Sequence, residues 1–454
     1  MSLIRCSISM HAKRSFWCDC FTDTADYESA GLPNLSWFAI LALSDYKECI
    51  DMKRTMVNST VWCLMGLLLV CILLLSSCAS LASPYASETL VSSAEGMQEF
   101  IVTTYAEDGF QLQGKLRLPA TGEVEALVIY VNGSGPNTYD NKRSLGETTF
   151  NYHDFFAQRF TDNQVAYFSY NTRGANVDEN PPLFTVVDEE LYKAYTVQSS
   201  VSDIAHWARL LSKDSRIGNK DIVLLGWSEG AIIAVRVVLQ EDVPIKALVL
   251  AGLPVDSMKT IMEWQLGGEN SIRFYQANFD MNGDGCVSRL EFDSDPHEIL
   301  VALGNPNFSD LDCNADEVLT AEDFKLLLAP YREMIFDAIE RDDNVWLKEN
   351  YGVQLTSNWF KSHAAIPSNF EMIPQLSLPV YVFQGEADAN VPVQRVLDLA
   401  SHMQELGKTN FHVQVFPSHD HDLNFLLYPL QQVVSEGLSS LVEQTIDIFS
   451  DTEN

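Results

Sequence analysis

From Glu99 onward, short unbroken runs of Val, Ile and Leu alternate with longer stretches in which apolar residues recur every three or four positions. The short runs predict strands at Phe100–Thr104, Leu112–Leu118, Ala126–Val131, Val165–Tyr170, Ile222–Leu225, Ala247–Ala251, Val380–Gln384 and His412–Phe416. Several are apolar at every position, as expected for strands buried on both faces of a parallel sheet. Between them, Leu191–Leu211, Ala231–Gln240, Val393–Leu406 and Leu426–Phe449 carry helical periodicity. This alternation predicts an α/β fold with a doubly wound, mostly parallel sheet. The stretch from Ala251 to Val380 is far longer than one crossover helix needs, so it is read as an insertion with its own structure.

The N-terminal pattern is different. Val61 to Leu75 is an uncharged apolar run, preceded by Lys53 and Arg54 and followed by Ser76, Ser77, Cys78, Ala79 and Ser80. A basic start, a short apolar stretch and a small-residue exit predict a secretory signal rather than a membrane span. Leu75-Ser76-Ser77-Cys78 resembles the bacterial lipobox, in which the cysteine is acylated. That implies lipidation at Cys78 and an exported protein of the bacterial cell envelope, anchored by lipid to a membrane. A signal at 52–78 leaves residues 1–51 as the expected product of an upstream start-codon assignment. Residues 79–98, rich in Ser and Ala, read as a tether.

Apolar residues make up 46% of the 454-residue chain and charged residues 20%, which is the composition of a globular protein. With 62 acidic and 29 basic residues the net charge is −33, which excludes nucleic acid as an expected partner. Of the 9 cysteines, only Cys286 and Cys313 follow residue 78, so the globular part is not a disulfide scaffold.

Candidate chemistry begins where the strand Ile222–Leu225 runs into Gly226-Trp227-Ser228-Glu229-Gly230 and then a helix of small and apolar residues. This is G-x-S-x-G in a strand–turn–helix context. The turn is tight enough that only glycine fits beside the serine, and it aims the helix N-terminus at a developing oxyanion. A serine hydroxyl needs a base to become a useful nucleophile.

The chain resembles the α/β-hydrolase superfamily, in its esterase-like serine hydrolases, over about Glu99–Pro254 and Asn369–Ser450. Gly385-Glu386-Ala387-Asp388-Ala389-Asn390-Val391-Pro392 is similar to the family's G-x-x-D-x-x-V-P turn, which implies Asp388 as the acid, with Glu386 as the alternative. Pro417-Ser418-His419-Asp420-His421 matches the family's spacing of the histidine four residues after a proline, which implies His421 ahead of His419. Asn132-Gly133-Ser134 resembles the H-G-x turn with Asn132 in the histidine's place, which implies the backbone N–H groups of Ser134 and Glu229 as the oxyanion hole. Asn171-Thr172-Arg173-Gly174 resembles the structural D-x-R-G turn, with Asn171 replacing aspartate.

Within the insertion, expected to span 255–368, residues 280–291 match D-x-[DN]-x-[DN]-G-x₅-E at every defined position. Calcium needs six to eight oxygens. Asp280, Asn282, Asp284, the Cys286 carbonyl, Ser288 and a bidentate Glu291 would supply them. Residues 312–323 align as a second, weaker site through Asp312, Asn314, Asp316, Val318, Thr320 and Asp323. There Glu317 replaces the glycine and Asp323 the longer glutamate. The segment resembles a compact EF-hand pair placed where lipases and esterases carry a cap, and it implies structural Ca2+.

The expected function is hydrolysis of a small-molecule ester, or of a thioester or amide, through an acyl-enzyme on Ser228. A catalytically silent, calcium-dependent binding module is the expectation from another class. A serine aminopeptidase is the nearest enzymatic alternative, without a visible amine-binding carboxylate pair.

Overall fold

The computed structural model describes residues 83–93, 96–295, 300 and 304–450. Its centre is a nine-stranded sheet. The strands are β1 Ser87–Ser92, β2 Met97–Tyr105, β3 Gln111–Pro119, β4 Ala126–Val131, β5 Val165–Tyr170, β6 Asp221–Trp227, β7 Ile245–Ala251, β8 Val380–Gly385 and β9 Phe411–Phe416. Their spatial order is β1-β2-β3-β5-β4-β6-β7-β8-β9. From β5 to β9 all neighbours are parallel, whereas β1, β2 and β3 join the sheet antiparallel.

Side-chain alternation along the strands builds two cores. In β4, Leu127, Ile129 and Val131 join one cluster, while Ala126, Val128 and Tyr130 join the other. The first face is covered by α2 (Val197–Leu211), α3 (Glu229–Gln240) and α9 (Val393–Glu405); the second by α1 (Tyr152–Asp162) and α10 (Glu436–Ser450). This doubly wound arrangement is the expected fold class.

Three elements differ from expectation. Residues 87–92, expected within a tether, pair with β2, and the buried Tyr85 donates its hydroxyl to Asp214 at 2.9 Å. The pattern Leu191–Leu211 is two helices, Glu189–Tyr192 and α2. Thr196 and Ser199 form a capping box that starts the second. The pattern Leu426–Phe449 likewise divides into Leu427–Gln431 and α10, separated by Gln432 in a left-handed conformation (φ 57°).

The insertion leaves the sheet after β7 and returns to β8. It contains α4 (Met258–Gln265), α5 (Glu269–Phe279), α6 (Ala321–Glu340), α7 (Asn344–Asn350) and α8 (Ser357–Ala364). Its two ends are clasped together: Asn369 Nδ2 donates to the Pro254 carbonyl and Phe370 N to the Val255 carbonyl, both at 2.9 Å. One cluster, including Trp359 and Phe360, packs on Tyr192 and Tyr195 of the core. A separate cluster of Phe279, Phe292, Phe308 and Phe324 supports the two acidic loops.

Those loops are joined by an antiparallel bridge, Val287 opposite Leu319 and Ser288 opposite Val318. Glu291 reaches back over the first loop, accepting from Met281 N at 3.2 Å and Ser288 N at 2.9 Å; Ser288 holds its carboxyl below the usual range. Asp323 does the same in the second loop, accepting from Asn314 N and Thr320 N. Glu317 adopts φ 69° where the first loop has Gly285 at φ 83°, and its carboxylate pairs with Arg289 at 2.7 Å. Among the described residues no group of three or more His, Cys, Asp or Glu is placed to hold a metal ion. Residues 1–82, including Cys78 and the apolar run before it, lie outside the described residues. Among the described residues no helix is long and apolar enough to cross a membrane.

Candidate active site

Strand β6 ends at Trp227 and α3 begins at Glu229, leaving Ser228 alone at the turn with φ 55° and ψ −121°. A non-glycine residue there costs about 1–3 kcal/mol and persists only where its surroundings enforce it. Here Ser228 N donates to the Ala251 carbonyl of β7 and Ala231 N to the Ser228 carbonyl, both at 2.9 Å. The flanking glycines have no room for a side chain. A Cβ on Gly230 would lie 1.9 Å from the Val131 carbonyl oxygen, and one on Gly226 would lie 2.6 Å from that of Gly230.

Beyond β8, the buried Asp388 accepts four hydrogen bonds. Its Oδ1 takes Asn390 N at 2.7 Å and Val391 N at 3.0 Å; its Oδ2 takes Gln384 Nε2 at 2.6 Å and His421 Nδ1 at 2.8 Å. The His421 tautomer with its proton on Nδ1 is the one this bond requires. Burial alone would lower the imidazole pKa. The Asp388 carboxylate, helped by Asp422 and Asp420, outweighs burial and raises it above the ordinary 6.5. The His421 carbonyl accepts from Trp227 Nε1 at 3.2 Å. Ser228 and His421 line the same cavity, of about 580 Å³, together with Ser134 and Glu229.

The two alternatives sit elsewhere. His419 Nδ1 donates to the Pro417 carbonyl at 2.8 Å, and its Nε2 accepts from Gly437 N at 3.3 Å. Glu386 is exposed, whereas Asp388 is fully buried.

Gly133 lies beside Ser228, where a Cβ would meet the Trp227 carbonyl at 3.2 Å and Ser228 Cβ at 3.5 Å. The turn that carries Ser134 is braced without the family's histidine. Asn132 Nδ2 donates to the Tyr170 carbonyl at 3.0 Å, and Asn137 Nδ2 donates to the carbonyls of Gly133 and Gly135. Glu229 N is the first amide of α3 and has no acceptor within the helix. The Asn171–Gly174 turn is framework: Asn171 Oδ1 accepts from Tyr139 N at 2.8 Å, and Arg173 pairs with Asp203 at 2.6 Å.

Four features escape the sequence reading. Gln384 is buried at the end of β8; besides holding Asp388, its Oε1 accepts from Leu253 N at 3.0 Å. A glutamine closing an apolar strand just before the acid turn was the available signal. Gly252, at φ 55°, faces the imidazole so closely that a Cβ would lie 2.7 Å from His421 Cε1. The Glu229 side chain is buried and accepts from Trp359 Nε1 and His363 Nε2 of α8, each at 2.8 Å, and from the Tyr195 hydroxyl. Arg143 and Asp422 line the cavity wall. No local pattern announces these last contacts, because their partners are distant in sequence.

Residues 128–436 match the model of the alpha/beta hydrolase family, so the chain belongs to that family and its class is hydrolase. Among solved structures it is similar to an alpha/beta hydrolase, GrgF, from Penicillium sp. sh18, with 13% identity, coverage of 78% of this chain and 98% of that one, and a TM-score of 0.43. It is also similar to an esterase from Exiguobacterium antarcticum, with 14% identity, coverage of 77% and 99%, and a TM-score of 0.39. A third is an esterase from Pyrococcus furiosus, with 11% identity, coverage of 77% and 89%, and a TM-score of 0.42. No curated protein matches the chain.

Proposed function

We propose that this chain is an exported serine hydrolase that cleaves a carboxylic ester through an acyl-enzyme on Ser228. The observation that carries the reading is the strained Ser228, lining one cavity with a His421 whose Nδ1 is bonded to buried Asp388. His421 Nε2 would take the Ser228 hydroxyl proton as the oxygen attacks the ester carbonyl. Negative charge gathers on the carbonyl oxygen and is met by the amides of Ser134 and Glu229. As the tetrahedral species collapses, His421 gives its proton to the departing alkoxide. A water then attacks the acyl group, again through His421, and releases the carboxylic acid and free Ser228.

The loop at 280–291 is proposed to hold Ca2+ through Asp280, Asn282, Asp284, Cys286, Ser288 and Glu291. The loop at 312–323 is proposed as a weaker second site through Asp312, Asn314, Asp316, Val318, Thr320 and Asp323. The fit is supported by Glu291 and Asp323 closing over their loops and by the bridge between the two. The ion would order the insertion and take no part in the acyl transfer. Acylation at Cys78 is proposed as the membrane anchor.

Labelling with a fluorophosphonate tests the reading, since only an activated serine reacts. Wild-type protein should label on Ser228 and hydrolyse p-nitrophenyl esters, and Ser228→Ala should do neither. Wild-type ester turnover by Ser228→Ala would overturn the assignment.

A further inference from the structure

We propose that Arg143 makes the cavity a site for esters that carry a carboxylate, with its guanidinium as the receptor for that group. The proposal rests on reading the cavity as an ester-hydrolysing site.

Arg143 lies on a two-stranded hairpin, Lys142–Leu145 with Thr148–Asn151, where it stands opposite Phe150. The residue is partly buried and lines the cavity that holds Ser228 and His421. Among the described residues its side chain has no hydrogen bond and no ion pair. Among the described residues Arg273 and Arg332 also lack both, but neither lines this cavity. Arg117, Arg173, Arg209, Arg216 and Arg395 each pair with a carboxylate. With 62 acidic residues to 29 basic ones, carboxylates are abundant, yet among the described residues none forms an ion pair with this guanidinium.

The surroundings of Arg143 sharpen the point. Burial lowers its pKa, so its charge has lost hydration; the Asp422 carboxylate returns part of that stabilisation from beyond ion-pair distance. A desolvated cation facing an open cavity gains most from an anion delivered by a ligand. The planar guanidinium fork matches the two oxygens of a carboxylate. Asp422 shares the wall, and desolvation raises its own carboxyl above the usual range. Its negative charge penalises a second charge on the ligand. That favours a monoanionic carboxylate over a phosphate monoester. Leu145, Phe150, Phe425 and Leu426 line the same cavity beside the polar Asn141 and Ser144, so a short methylene chain would link the carboxylate to the scissile ester. A volume of about 580 Å³ suits such a molecule.

The test compares matched esters on the full chain. For the acyl side, mono-p-nitrophenyl adipate is set against p-nitrophenyl hexanoate; for the alcohol side, 4-carboxyphenyl hexanoate against phenyl hexanoate. In one of the two pairs, wild-type kcat/KM should favour the carboxylate ester by about tenfold or more. Arg143→Met should bring that ratio close to one, and Arg143→Lys should restore part of it. Equal rates in both pairs, or a preference that survives Arg143→Met, overturns the proposal. So does faster hydrolysis of a hexanoate ester whose alcohol carries phosphate instead of carboxylate. Calorimetry on Ser228→Ala with both matched pairs separates this inference from the acyl-enzyme reading. Tighter binding of the carboxylate ester in either pair, lost in Arg143→Met, sustains the anion site even where turnover fails, and equal binding in both pairs rejects it.

Discussion

The His363 imidazole on α8 of the insertion meets the Glu229 carboxylate on α3 of the core at 2.8 Å, with both side chains buried. His363 Nδ1 has no partner, so the tautomer with its proton on Nε2 leaves no buried donor unsatisfied. Glu229 therefore has two duties. Its amide faces the cavity as a candidate oxyanion donor, and its carboxylate holds the insertion.

Replacing Glu229 by Gln puts an NH2 group where donors already converge from Trp359, His363 and Tyr195. An unsatisfied buried donor costs about 1–3 kcal/mol. Denaturant unfolding should register a loss of that size. Slight displacement of the amide should lower kcat by about tenfold or more, with a smaller change in KM. A kcat equal to wild type would show that the carboxylate does not position the amide.

Catalysis should respond to the two neighbouring histidines very differently. His421→Ala removes the base and should cost several orders of magnitude in kcat. In wild type, kcat/KM should fall as pH drops through the His421 pKa, because the protonated ring cannot accept the serine proton. The Asp388 charge raises that pKa, so the acid limb should lie above 6.5, and Asp388→Asn should move it downward while slowing turnover. His419→Ala breaks a bond to Gly437 at the start of α10 and should affect unfolding more than activity. The reverse ranking in a pH–rate series would move the base to His419.

Gly252→Ala probes the space behind the imidazole. The new methyl would sit 2.7 Å from His421 Cε1, on a backbone at φ 55°. The left-handed conformation costs an alanine roughly 1–2 kcal/mol. The ring must also shift from the position in which Nδ1 bonds Asp388. Activity should drop at least tenfold, and the imidazole proton resonance should shift. An unchanged rate would mean that the His421 loop yields without loss.

Chelation should act on the insertion and spare the chemistry. With a dissociation constant of about 10⁻⁴ to 10⁻³ M, calcium at ten times that level would stabilise the folded state by roughly 1.4 kcal/mol. The melting temperature should fall modestly on adding chelator, and hydrolysis of bulky esters should change more than that of small ones. Glu291→Gln should reproduce this, and Asp323→Asn should do less. Calorimetry that detects no calcium binding would reject the site.

Legibility from sequence followed burial. The bounds expected for β4 and β5 match the structure, because both strands are apolar on both faces and flanked by polar turns. Strand β1 left no trace in the pattern, since an edge strand held mainly by backbone bonds to β2 needs no apolar alternation. The helix breaks near Thr196 and Gln432 depend on capping and a left-handed turn, which a periodicity count passes over. In the site, Ser228, Asp388 and His421 were visible because each sits in a short motif. Gln384, Arg143 and the Glu229 contacts were not, because each acquires its meaning only when distant segments meet.

The clasp of Asn369 on Pro254 and of Phe370 on Val255 has a consequence for descent. Because the insertion leaves and rejoins the sheet at one point, deleting or exchanging it by recombination would require only a short splice between neighbouring strands. Glu229 ties that exchange to the core. A splice lacking Trp359 and His363 would leave the Glu229 carboxylate with the Tyr195 hydroxyl alone among its present donors. A lineage that lost the insertion would therefore lose what fixes the Glu229 side chain, and with it the brace on the first amide of α3.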